Sequence, residues 1–266
     1  MKQPTPQETV AGWAVVTGAS SGLGREFALA LSERGYPVLA VARRGERLHV
    51  LAGEIGARGG RLEPLVADLC TTAGVEALLG RAASLDIELL VNNAGVATYG
   101  PFASIPVERQ GELLRLNVEA IVTLTGRLLP SLLARGHGGI INVASQMAFQ
   151  PMPYFAAYAA SKAFVLSFSE AIAEELRGTG VRVTAVAPGF VRTEFSAVAG
   201  SQAPERRFPH LQPRHVVESV LRAHDRGRTV KVVGPFYTSL TFAGRFAPRA
   251  VLRRMMGRAM RPAPAP

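Results

Sequence analysis

Short apolar runs rich in β-branched residues alternate along this chain with longer segments in which apolar residues recur at helical spacing. The short runs predict strands at 13–17, 37–42, 61–67, 87–92, 139–144, 181–187 and 229–233. Helical spacing is clearest at 24–35, 71–84, 108–136 and 158–176. Apolar strands that alternate with helices are typical of a parallel sheet covered on both faces. The pattern therefore predicts the α/β class with a doubly wound parallel sheet.

The alternation runs to about residue 233 without a linker or an internal repeat. It predicts a single domain over 1–233 and a basic C-terminal extension over 234–266. Residues 201–266 hold 13 Lys and Arg against 3 Asp and Glu, and so account for the net charge of +10. Residues 1–200 hold 17 of each and are formally neutral. Because the basic charge is confined to one segment, and no basic strand interleaved with aromatics or recognition-helix motif occurs, we expect no nucleic-acid partner.

The rest of the composition indicates where the protein is located and which bound groups it lacks. Hydrophobic residues make up 48% of the chain, which is ample for a sizeable core. Cys70 is the single cysteine, so no internal disulfide forms, and the five histidines are too scattered for a metal site. Residues 1–12 lack the apolar stretch of a secretory signal, and no run of 18 apolar residues appears. We therefore expect a cytoplasmic protein with no bound metal and no spanning helix.

A glycine-rich turn follows the first predicted strand and opens a helix. The stretch TGASSGLG places Gly18, Gly22 and Gly24 in the order T-G-x-x-x-G-x-G. Glycines let backbone N–H groups approach a pyrophosphate, and the helix that follows points its positive end at the same place. The hydroxyls of Ser20 and Ser21 add donors. An ordinary glycine turn is the alternative, but the position directly after a strand favours a dinucleotide site.

The end of the second predicted strand bears on which dinucleotide binds. An NAD site places a carboxylate there to bind the ribose 2′-hydroxyl. In this chain Ala42 is followed by Arg43 and Arg44. Two guanidinium groups can bind a 2′-phosphate, and no carboxylate repels it. The sequence therefore predicts NADP(H) in preference to NAD(H), with a solvated basic loop as the alternative.

Tyr158 and Lys162 are four residues apart on a predicted helix, so their side chains are neighbours on one face. One interpretation is an amphipathic core tyrosine beside a lysine whose ammonium reaches water. The other is catalytic. Free tyrosine has a pKa of about 10, and a neighbouring ammonium stabilises the phenolate and lowers that pKa toward the range useful for proton exchange.

Several motifs in order and at matching spacing, over about residues 11–195, resemble the classical short-chain dehydrogenase/reductase (SDR) family. They are TGASSGLG, NNAG at 92–95, Asn117 in LRLNVEA, Ser145 thirteen residues before Tyr158, YAASK at 158–162 and PGFVRTE at 188–194. The resemblance implies a Rossmann-type sheet and an NADP(H)-dependent oxidoreductase that interconverts a carbonyl and a secondary alcohol. The family varies beyond residue 195, so the resemblance says little about the rest of the chain.

The resemblance also implies residue roles. Tyr158 exchanges the proton as general acid and base, Ser145 hydrogen-bonds the carbonyl oxygen, Lys162 tunes Tyr158 and binds the nicotinamide ribose, and Asn117 holds a water beside Lys162. The implied cofactor-binding residues are Gly18, Ser20, Ser21, Gly22, Leu23, Gly24, Arg43, Arg44, Asp68, Leu69, Asn92, Ala94, Gly95, Tyr158, Lys162, Pro188, Gly189, Val191 and Thr193.

Two of those assignments have more detail. Asp68, at the end of the third predicted strand, is implied to contact the adenine, and its alternative is an N-cap for the helix that begins near Thr71. Thr193 is implied to meet the carboxamide of the nicotinamide.

The substrate is predicted from the segment between Ser145 and Tyr158. Its apolar side chains indicate a pocket for a small hydrophobic carbonyl or alcohol, or else a subunit interface. They are Met147, Phe149, Met152 and Phe155. A 3-oxoacyl thioester, a steroid-like ketone and a xenobiotic carbonyl all fit. A non-catalytic NADP-binding regulator on the same fold is the alternative function. The resemblance implies a homodimer or homotetramer.

The segment 248–262 predicts an amphipathic helix in the extension, with arginines on one half and apolar residues on the other. Such a helix suits the surface of an anionic membrane, where a protein is held peripherally by apolar burial and by its arginines. It equally suits packing of the apolar face on the body of the protein or on a sister subunit. Both interpretations stay open from the sequence.

Overall fold

Seven parallel strands form one sheet in the computed structural model, which describes residues 12–201 and 208–262. The strands are β1 Trp13–Thr17, β2 Val38–Ala42, β3 Leu62–Val66, β4 Ile87–Asn92, β5 Gly138–Val143, β6 Val181–Pro188 and β7 Val230–Val233. Their order across the sheet is β3-β2-β1-β4-β5-β6-β7. The predicted doubly wound, Rossmann-type parallel sheet in a single domain is thereby confirmed.

Helices connect successive strands and cover the sheet, and two further helices follow β7. They are α1 Gly22–Glu33, α2 Gly45–Ala57, α3 Thr72–Ala82, α4 Val107–Leu114, α5 Ala120–Arg135, α6 Ala156–Glu175, α7 Phe195–Ala199, α8 Pro213–Asp225, α9 Pro235–Gly244 and α10 Arg249–Ala259. The predicted helix at 108–136 contains a π-helical turn, Arg115–Glu119, between α4 and α5. A π-turn inside a longer helix often marks a functional site.

The sheet is buried on both faces, and β1 shows how. Its side chains alternate between faces, as those of any strand do. Ala14 and Val16 face one core cluster, which also contains side chains of α1 and α8. Trp13 and Val15 face the other cluster, which contains side chains of α3, α5 and α6. All five residues of β1 are buried, which explains why the strand reads as an unbroken apolar run.

The strand order reverses at β1, which pairs with β2 on one side and β4 on the other. In an open parallel sheet, ligands bind in the crevice at the carboxyl ends of the strands where the order reverses. The turn after β1, the arginines after β2 and the segment after β4 all meet at this edge. The topology therefore assembles residues that lie far apart in the sequence.

One helical segment, Val107–Arg135, is long and apolar enough by composition to cross a membrane. Charged residues interrupt it, so it does not form an unbroken apolar run. Leu116, Leu124, Leu128 and Leu132 within it pack in the core cluster beneath the sheet. Core helices of α/β domains pass the same test of composition, so length and composition alone do not assign this segment to a membrane.

Candidate active site

The phosphate loop between β1 and α1 depends on glycine at two positions. Gly18 has a φ of +69°, and a Cβ there would lie 2.9 Å from both the Cα of Ala94 and the Nδ2 of Asn93. A Cβ on Gly24 would lie 2.2 Å from the carbonyl oxygen of Gly18. Gly24 therefore lets α1 pack against the loop, and it does not line the cavity, contrary to its predicted role in cofactor binding.

The amino end of α1 is suited to a phosphate group. Ser21 is its N-cap residue and, among the described residues, makes no side-chain hydrogen bond to the first turn. The first-turn N–H groups of a helix lack partners within the helix and carry the positive end of its dipole. Gly22 and Leu23 bring that end to the cavity wall. The loop thus fits the pyrophosphate of a dinucleotide.

The basic residues after β2 lie at the same crevice. Arg44 donates to the Oγ of Ser20 over 3.1 Å from Nε and to the Oγ of Ser21 over 2.7 Å from Nη2. Arg43 lies 4.0 Å from a carboxylate oxygen of Asp68. Both arginines are largely exposed. Positive charge is therefore concentrated where the adenosine ribose of a dinucleotide would lie.

Asp68 lines the cavity, and it is not the N-cap of the next helix. Thr71 is that N-cap, and its side chain accepts from the N–H of Gly74. One carboxylate oxygen of Asp68 accepts a 3.0 Å hydrogen bond from the backbone of Cys70. The N-cap interpretation of Asp68 is therefore wrong, and its place on the cavity wall is the one that the cofactor assignment requires.

Two neighbouring asparagines at the end of β4, Asn92 and Asn93, have different positions. Asn92 is buried in the sheet, where its Nδ2 donates to the Oδ1 of Asn142 over 2.9 Å, and it lies away from the cavity. Asn93 lines the cavity and donates to the carbonyl oxygen of Thr17 over 2.8 Å. The prediction that Asn92 lines the cofactor site is corrected to Asn93, because successive strand residues point in opposite directions.

Tyr158 and Lys162 lie on the first turns of α6 and face the cavity together, as predicted from their spacing. The Nζ of Lys162 lies 5.9 Å from the centre of the Tyr158 ring. Lys162 is only 3% exposed, and burial lowers the pKa of its ammonium to about 8. Ser145 follows β5 on the same cavity wall, where its Oγ accepts a 3.1 Å hydrogen bond from the N–H of Met147.

Asn117 lies behind this group, on the π-helical turn. Its Nδ2 donates to the carbonyl oxygen of Val96 over 2.9 Å and to the Oγ of Ser161 over 3.1 Å, and its Oδ1 accepts from the N–H of Val96 over 3.0 Å. Asn117 is fully buried and does not line the cavity. It therefore acts as a positioning residue that ties the segment after β4 to α6, while a water-holding role stays a prediction.

These groups surround a cavity of about 360 Å³ at the carboxyl edge of the sheet. Every residue predicted to bind the cofactor lines it except Gly24 and Asn92, and Ser145 lies among them. Within residues 12–201 and 208–262, no cluster of three or more His, Cys, Asp and Glu side chains is arranged to hold a metal ion. One cavity thus joins the phosphate loop to the tyrosine, lysine and serine.

Most of the residues that line the cavity lie in a part of the chain that matches a known family. The profile described as short chain dehydrogenase matches residues 12–204. The chain belongs to the short-chain dehydrogenase family.

Individual proteins similar to this short-chain dehydrogenase are also oxidoreductases. An uncharacterized oxidoreductase of Myxococcus xanthus is 40% identical over 195 residues, which cover 72% of the chain and 76% of the relative. The ketoacyl reductase HetN of Nostoc is 32% identical over 247 residues, covering 90% of the chain and 86% of the relative. A short-chain dehydrogenase from Sphingobium yanoikuyae, solved in complex with NADPH, superimposes with a TM-score of 0.79 at 32% identity and covers 88% of this chain and 94% of that one.

The apolar part of this dehydrogenase's cavity differs in part from the predicted pocket. Met147 and Phe155 line it, as expected. Phe149 packs in a core cluster with β6 and α6 instead, and Met152 lies one layer behind the wall. Rings from the segment after β6 and from α9 complete the apolar part. They are Phe190, Phe195 and Tyr237.

Tyr237 is a cavity residue that sequence reasoning missed. A Cβ on Gly189 would lie within about 2.0 Å of its ring, so the glycine after β6 makes room for a side chain from the C-terminal extension. The nearest signal in the sequence was the absence of a side chain at Gly189. The extension is therefore part of the cavity wall of this dehydrogenase.

The last helix, α10, also packs on the body. Met256 and Met260 are buried in one cluster with Phe155 and Tyr158, and the hydroxyl of Tyr99 donates to the carbonyl oxygen of Met260 over 2.9 Å. The apolar half of the predicted amphipathic helix is thus only partly buried, because Met256 is buried while Met255 on the same half is exposed.

Proposed function

We propose that this protein is an NADP(H)-dependent oxidoreductase that interconverts a carbonyl and a secondary alcohol on a small hydrophobic substrate. The observation that carries the proposal is that Ser145, Tyr158 and Lys162 line the same cavity as the phosphate loop. A protein that only binds a dinucleotide has no use for an acid, a tuned ammonium and an oxygen-binding hydroxyl together. The family membership supplies the reaction class.

In this proposal Tyr158 is the general acid that gives its phenolic proton to the carbonyl oxygen and takes it back in the reverse direction. Ser145 already accepts a hydrogen bond at its Oγ, so its own O–H is able to donate to the same carbonyl oxygen and to stabilise negative charge there. Lys162 holds a positive charge near the phenol below a pH of about 8. When bound, a nicotinamide dinucleotide supplies the hydride that is exchanged with the substrate carbon.

The preference for NADP(H) rests on the arginines after β2. Arg44 is already oriented toward the hydroxyls of Ser20 and Ser21 at the phosphate loop. A guanidinium in that position can bind a 2′-phosphate with two parallel hydrogen bonds. The Sphingobium dehydrogenase, which was solved with NADPH bound, supports the same cofactor. Exchange of Arg43 for Asp is expected to weaken the binding of NADPH far more than that of NADH.

The hydrophobic character of the substrate rests on the rings that line the cavity, and the ketoacyl reductase of Nostoc adds a carbonyl substrate among the relatives. A 3-oxoacyl thioester, a steroid-like ketone and a xenobiotic carbonyl are distinguished by their size and shape. The test is the oxidation of NADPH with carbonyl compounds graded from short ketones to long 3-oxoacyl thioesters and polycyclic ketones.

The same screen tests the alternative of a non-catalytic NADP-binding regulator. Turnover with at least one class of carbonyl, and none in a Tyr158→Phe variant, is the expected result. Tight binding of NADPH without turnover on any compound would favour the regulator.

A homodimer or homotetramer is part of the proposal. Leu114, Val122 and Phe164, on α4, α5 and α6, leave 47%, 38% and 41% of their surface exposed, as a subunit interface would require. Light scattering measures the assembly directly, and a monomeric mass at micromolar concentration would contradict it.

For the C-terminal helix, the burial of Met256 and Met260 favours packing on the body over a position flat on an anionic membrane. Peripheral membrane contact stays a prediction, as does the cytoplasmic location. Co-sedimentation with anionic vesicles, compared between the full chain and one ending at Gly244, tests the membrane contact.

A further inference from the structure

One carboxylate bridges two arginines at the cofactor end of the cavity. Glu194, which follows β6, accepts a 3.0 Å hydrogen bond from the Nη1 of Arg44. The Nη1 of Arg47, on the first turns of α2, lies 2.8 Å from each oxygen of the same carboxylate. Glu194 lies 147 residues from Arg47 in the chain. Binding of a 2′-phosphate, the role proposed for Arg43 and Arg44, does not explain why a carboxylate of the protein binds Arg44 and Arg47.

The contact also holds the segment after β6 against the phosphate loop. Arg44 binds Glu194 with one nitrogen and the hydroxyls of Ser20 and Ser21 with two others. One residue earlier, the Cγ2 of Thr193 lies 3.1 Å from the position of a Cβ on Gly22. A single guanidinium therefore joins the loop after β1 to the segment after β6.

The carboxylate of Glu194 carries a charge of the same sign as a phosphate. Hydrogen bonds from Arg47 and then Arg44 hold the pKa of Glu194 below its ordinary value, so the carboxylate is anionic at neutral pH. A phosphate monoester carries about −1.5 to −2 charges and three acceptor oxygens, and arginine binds it with two parallel hydrogen bonds. A carboxylate offers fewer acceptors and less charge. Both partners of the ion pair are about half exposed, and ion pairs of that kind are weak.

We infer that Glu194 occupies the 2′-phosphate subsite as an internal counter-ion, and that Arg47 is a third cofactor-reading residue beside Arg43 and Arg44. The 2′-phosphate of the cofactor replaces the carboxylate on the two guanidiniums, and the segment that carries Glu194 is released from the phosphate loop. A cofactor without the 2′-phosphate leaves the carboxylate in place. This inference rests on the proposed preference for NADP(H). It attributes the selectivity for the 2′-phosphate both to attraction by the arginines and to competition with the carboxylate of Glu194.

The test uses adenosine 2′,5′-bisphosphate and AMP, which differ only in the 2′-phosphate and contain no nicotinamide. Isothermal titration measures their affinity for the wild type, Glu194→Gln, Arg47→Gln and Arg44→Gln, without any turnover. Loss of the competing carboxylate is expected to tighten the bisphosphate by roughly three- to tenfold, which corresponds to about 0.7–1.4 kcal/mol. The affinity for AMP is expected to change by less than about twofold. Arg47→Gln is expected to weaken the bisphosphate.

Glu46→Gln is the matched control. Glu46 is an exposed carboxylate on the first turn of α2, next to Arg47, and its exchange removes the same charge without touching the contact. It is expected to change the affinity for the bisphosphate much less than Glu194→Gln does. An equal gain in affinity in the two variants would mean that removal of any nearby negative charge has this effect. That result would overturn the proposed competition between Glu194 and the 2′-phosphate.

Hydrogen exchange of α7 provides a second readout. Saturating bisphosphate is expected to speed exchange of the amides at 195–199 in the wild type, while AMP is not. In Glu194→Gln the exchange is expected to be fast before any ligand is added. Slow exchange in all these states would overturn the release of the segment.

The outcomes separate the inference from the function on which it rests. If the wild type binds the bisphosphate and AMP equally, the preference for NADP(H) itself fails. If the wild type prefers the bisphosphate and Arg44→Gln abolishes that preference, while Glu194→Gln changes nothing, only the competition fails.

Discussion

The ammonium of Lys162 donates a 2.7 Å hydrogen bond to the carbonyl oxygen of Val143, the last residue of β5. This bond joins the helix that carries the tyrosine to the strand that precedes Ser145. It also fixes a positive charge in a place where water has little access. The structure thus gives up some stability at Lys162, because burial disfavours the charged form of a lysine.

Lys162→Met is therefore expected to abolish turnover and to make the apo protein more stable at neutral pH. The pKa of Lys162 falls from 10.5 unfolded to about 8 folded. Between these values the unfolded chain holds a proton that the folded protein has released, so the free energy of unfolding of the wild type rises with pH across that window. Below pH 8 the folded state bears the full cost of the buried charge, which is up to roughly 3 kcal/mol.

Urea unfolding at pH 7 and pH 10 measures this effect. The advantage of Lys162→Met is expected at pH 7 and shrinks toward pH 10.5. A difference of the same size at both pH values would contradict the assignment of the cost to the charge.

Tyr158→Phe is expected to fold, to bind NADPH and to lose nearly all carbonyl reduction. Removal of the hydroxyl takes away the proton donor while the ring keeps its contacts with Phe155 and Phe195. A loss of about 10²–10⁴-fold in kcat is typical for a general acid. Steady-state kinetics and fluorescence titration of NADPH measure the two properties separately, and reductase activity near that of the wild type would remove Tyr158 from its role.

Gly95→Ala is expected to lower kcat/KM by at least about tenfold, because correct placement of catalytic groups contributes several kcal/mol to a rate. The added Cβ would lie 3.1 Å from the Oδ1 of Asn117 and 3.4 Å from the Nζ of Lys162. The contact with Asn117 is shorter than an ordinary van der Waals contact, so Asn117 must shift, whereas the contact with Lys162 is at the limit of the ordinary range. Crystal structures of the variant with and without NADPH would show the shift.

Gly80→Ala is the control for that exchange. Gly80 lies inside α3, and nothing lies within 4 Å of the position of its Cβ. The exchange is expected to leave kcat/KM unchanged and to add about 0.5–1 kcal/mol of stability, as Ala does in place of Gly within a helix. Similar activity in the two alanine variants would exclude steric displacement at Gly95.

His224 is expected to make the fold sensitive to mild acid. It is buried near the end of α8, and its Nδ1 lies 2.9 Å from the Oγ1 of Thr184. That hydroxyl donates its hydrogen to the carbonyl oxygen of Arg228, so the imidazole is the donor to Thr184. Desolvation lowers the pKa of His224 from 6.5 to about 4.

The free energy of unfolding depends on pH because His224 binds its proton more weakly in the folded protein than in the unfolded chain. Between pH 6.5 and pH 4 the unfolded chain binds a proton at His224 that the folded protein does not, so the free energy of unfolding falls as the pH falls. The loss attributable to this residue is up to roughly 3 kcal/mol. His224→Gln removes this component, and urea unfolding at pH 6.5, 5.5 and 4.5 is expected to show a flatter dependence in the variant. Parallel curves for the two proteins would contradict the prediction.

Met260→Ala and Met255→Ala compare a buried and an exposed methionine in the C-terminal helical segment. Met260 is 1% exposed in the cluster beside Tyr158, whereas Met255 is 55% exposed. Truncation of a buried methionine costs about 2–5 kcal/mol, while exposed substitutions stay within about 0.5 kcal/mol. Thermal unfolding with van't Hoff analysis measures both. Equal stabilities would mean that the helix does not pack on the body in solution.

Much of the fold could be predicted because its signals are local. An unbroken apolar run such as WAVVT fits a strand buried on both faces, and the turn after it needs glycine at Gly18 because the φ there is +69°. The proposed catalytic pair was equally local, since Tyr158 and Lys162 share one helix face at any position in a fold. The sequence alone therefore determined the sheet, the phosphate loop and the reaction class.

The tertiary structure decided what depends on register and on distant partners. Asn92 and Asn93 look alike in the sequence, and only the orientation of the strand end puts Asn93 at the cavity. Which methionines of the last helix are buried depends on the surface that covers them, and an amphipathic pattern does not name that surface. Tyr237 meets Gly189, and Glu194 meets Arg44 and Arg47, only because the parallel sheet brings the carboxyl ends of separate strands to one edge. No periodicity in a sequence records such contacts, since they arise between segments that have no regular spacing from one another.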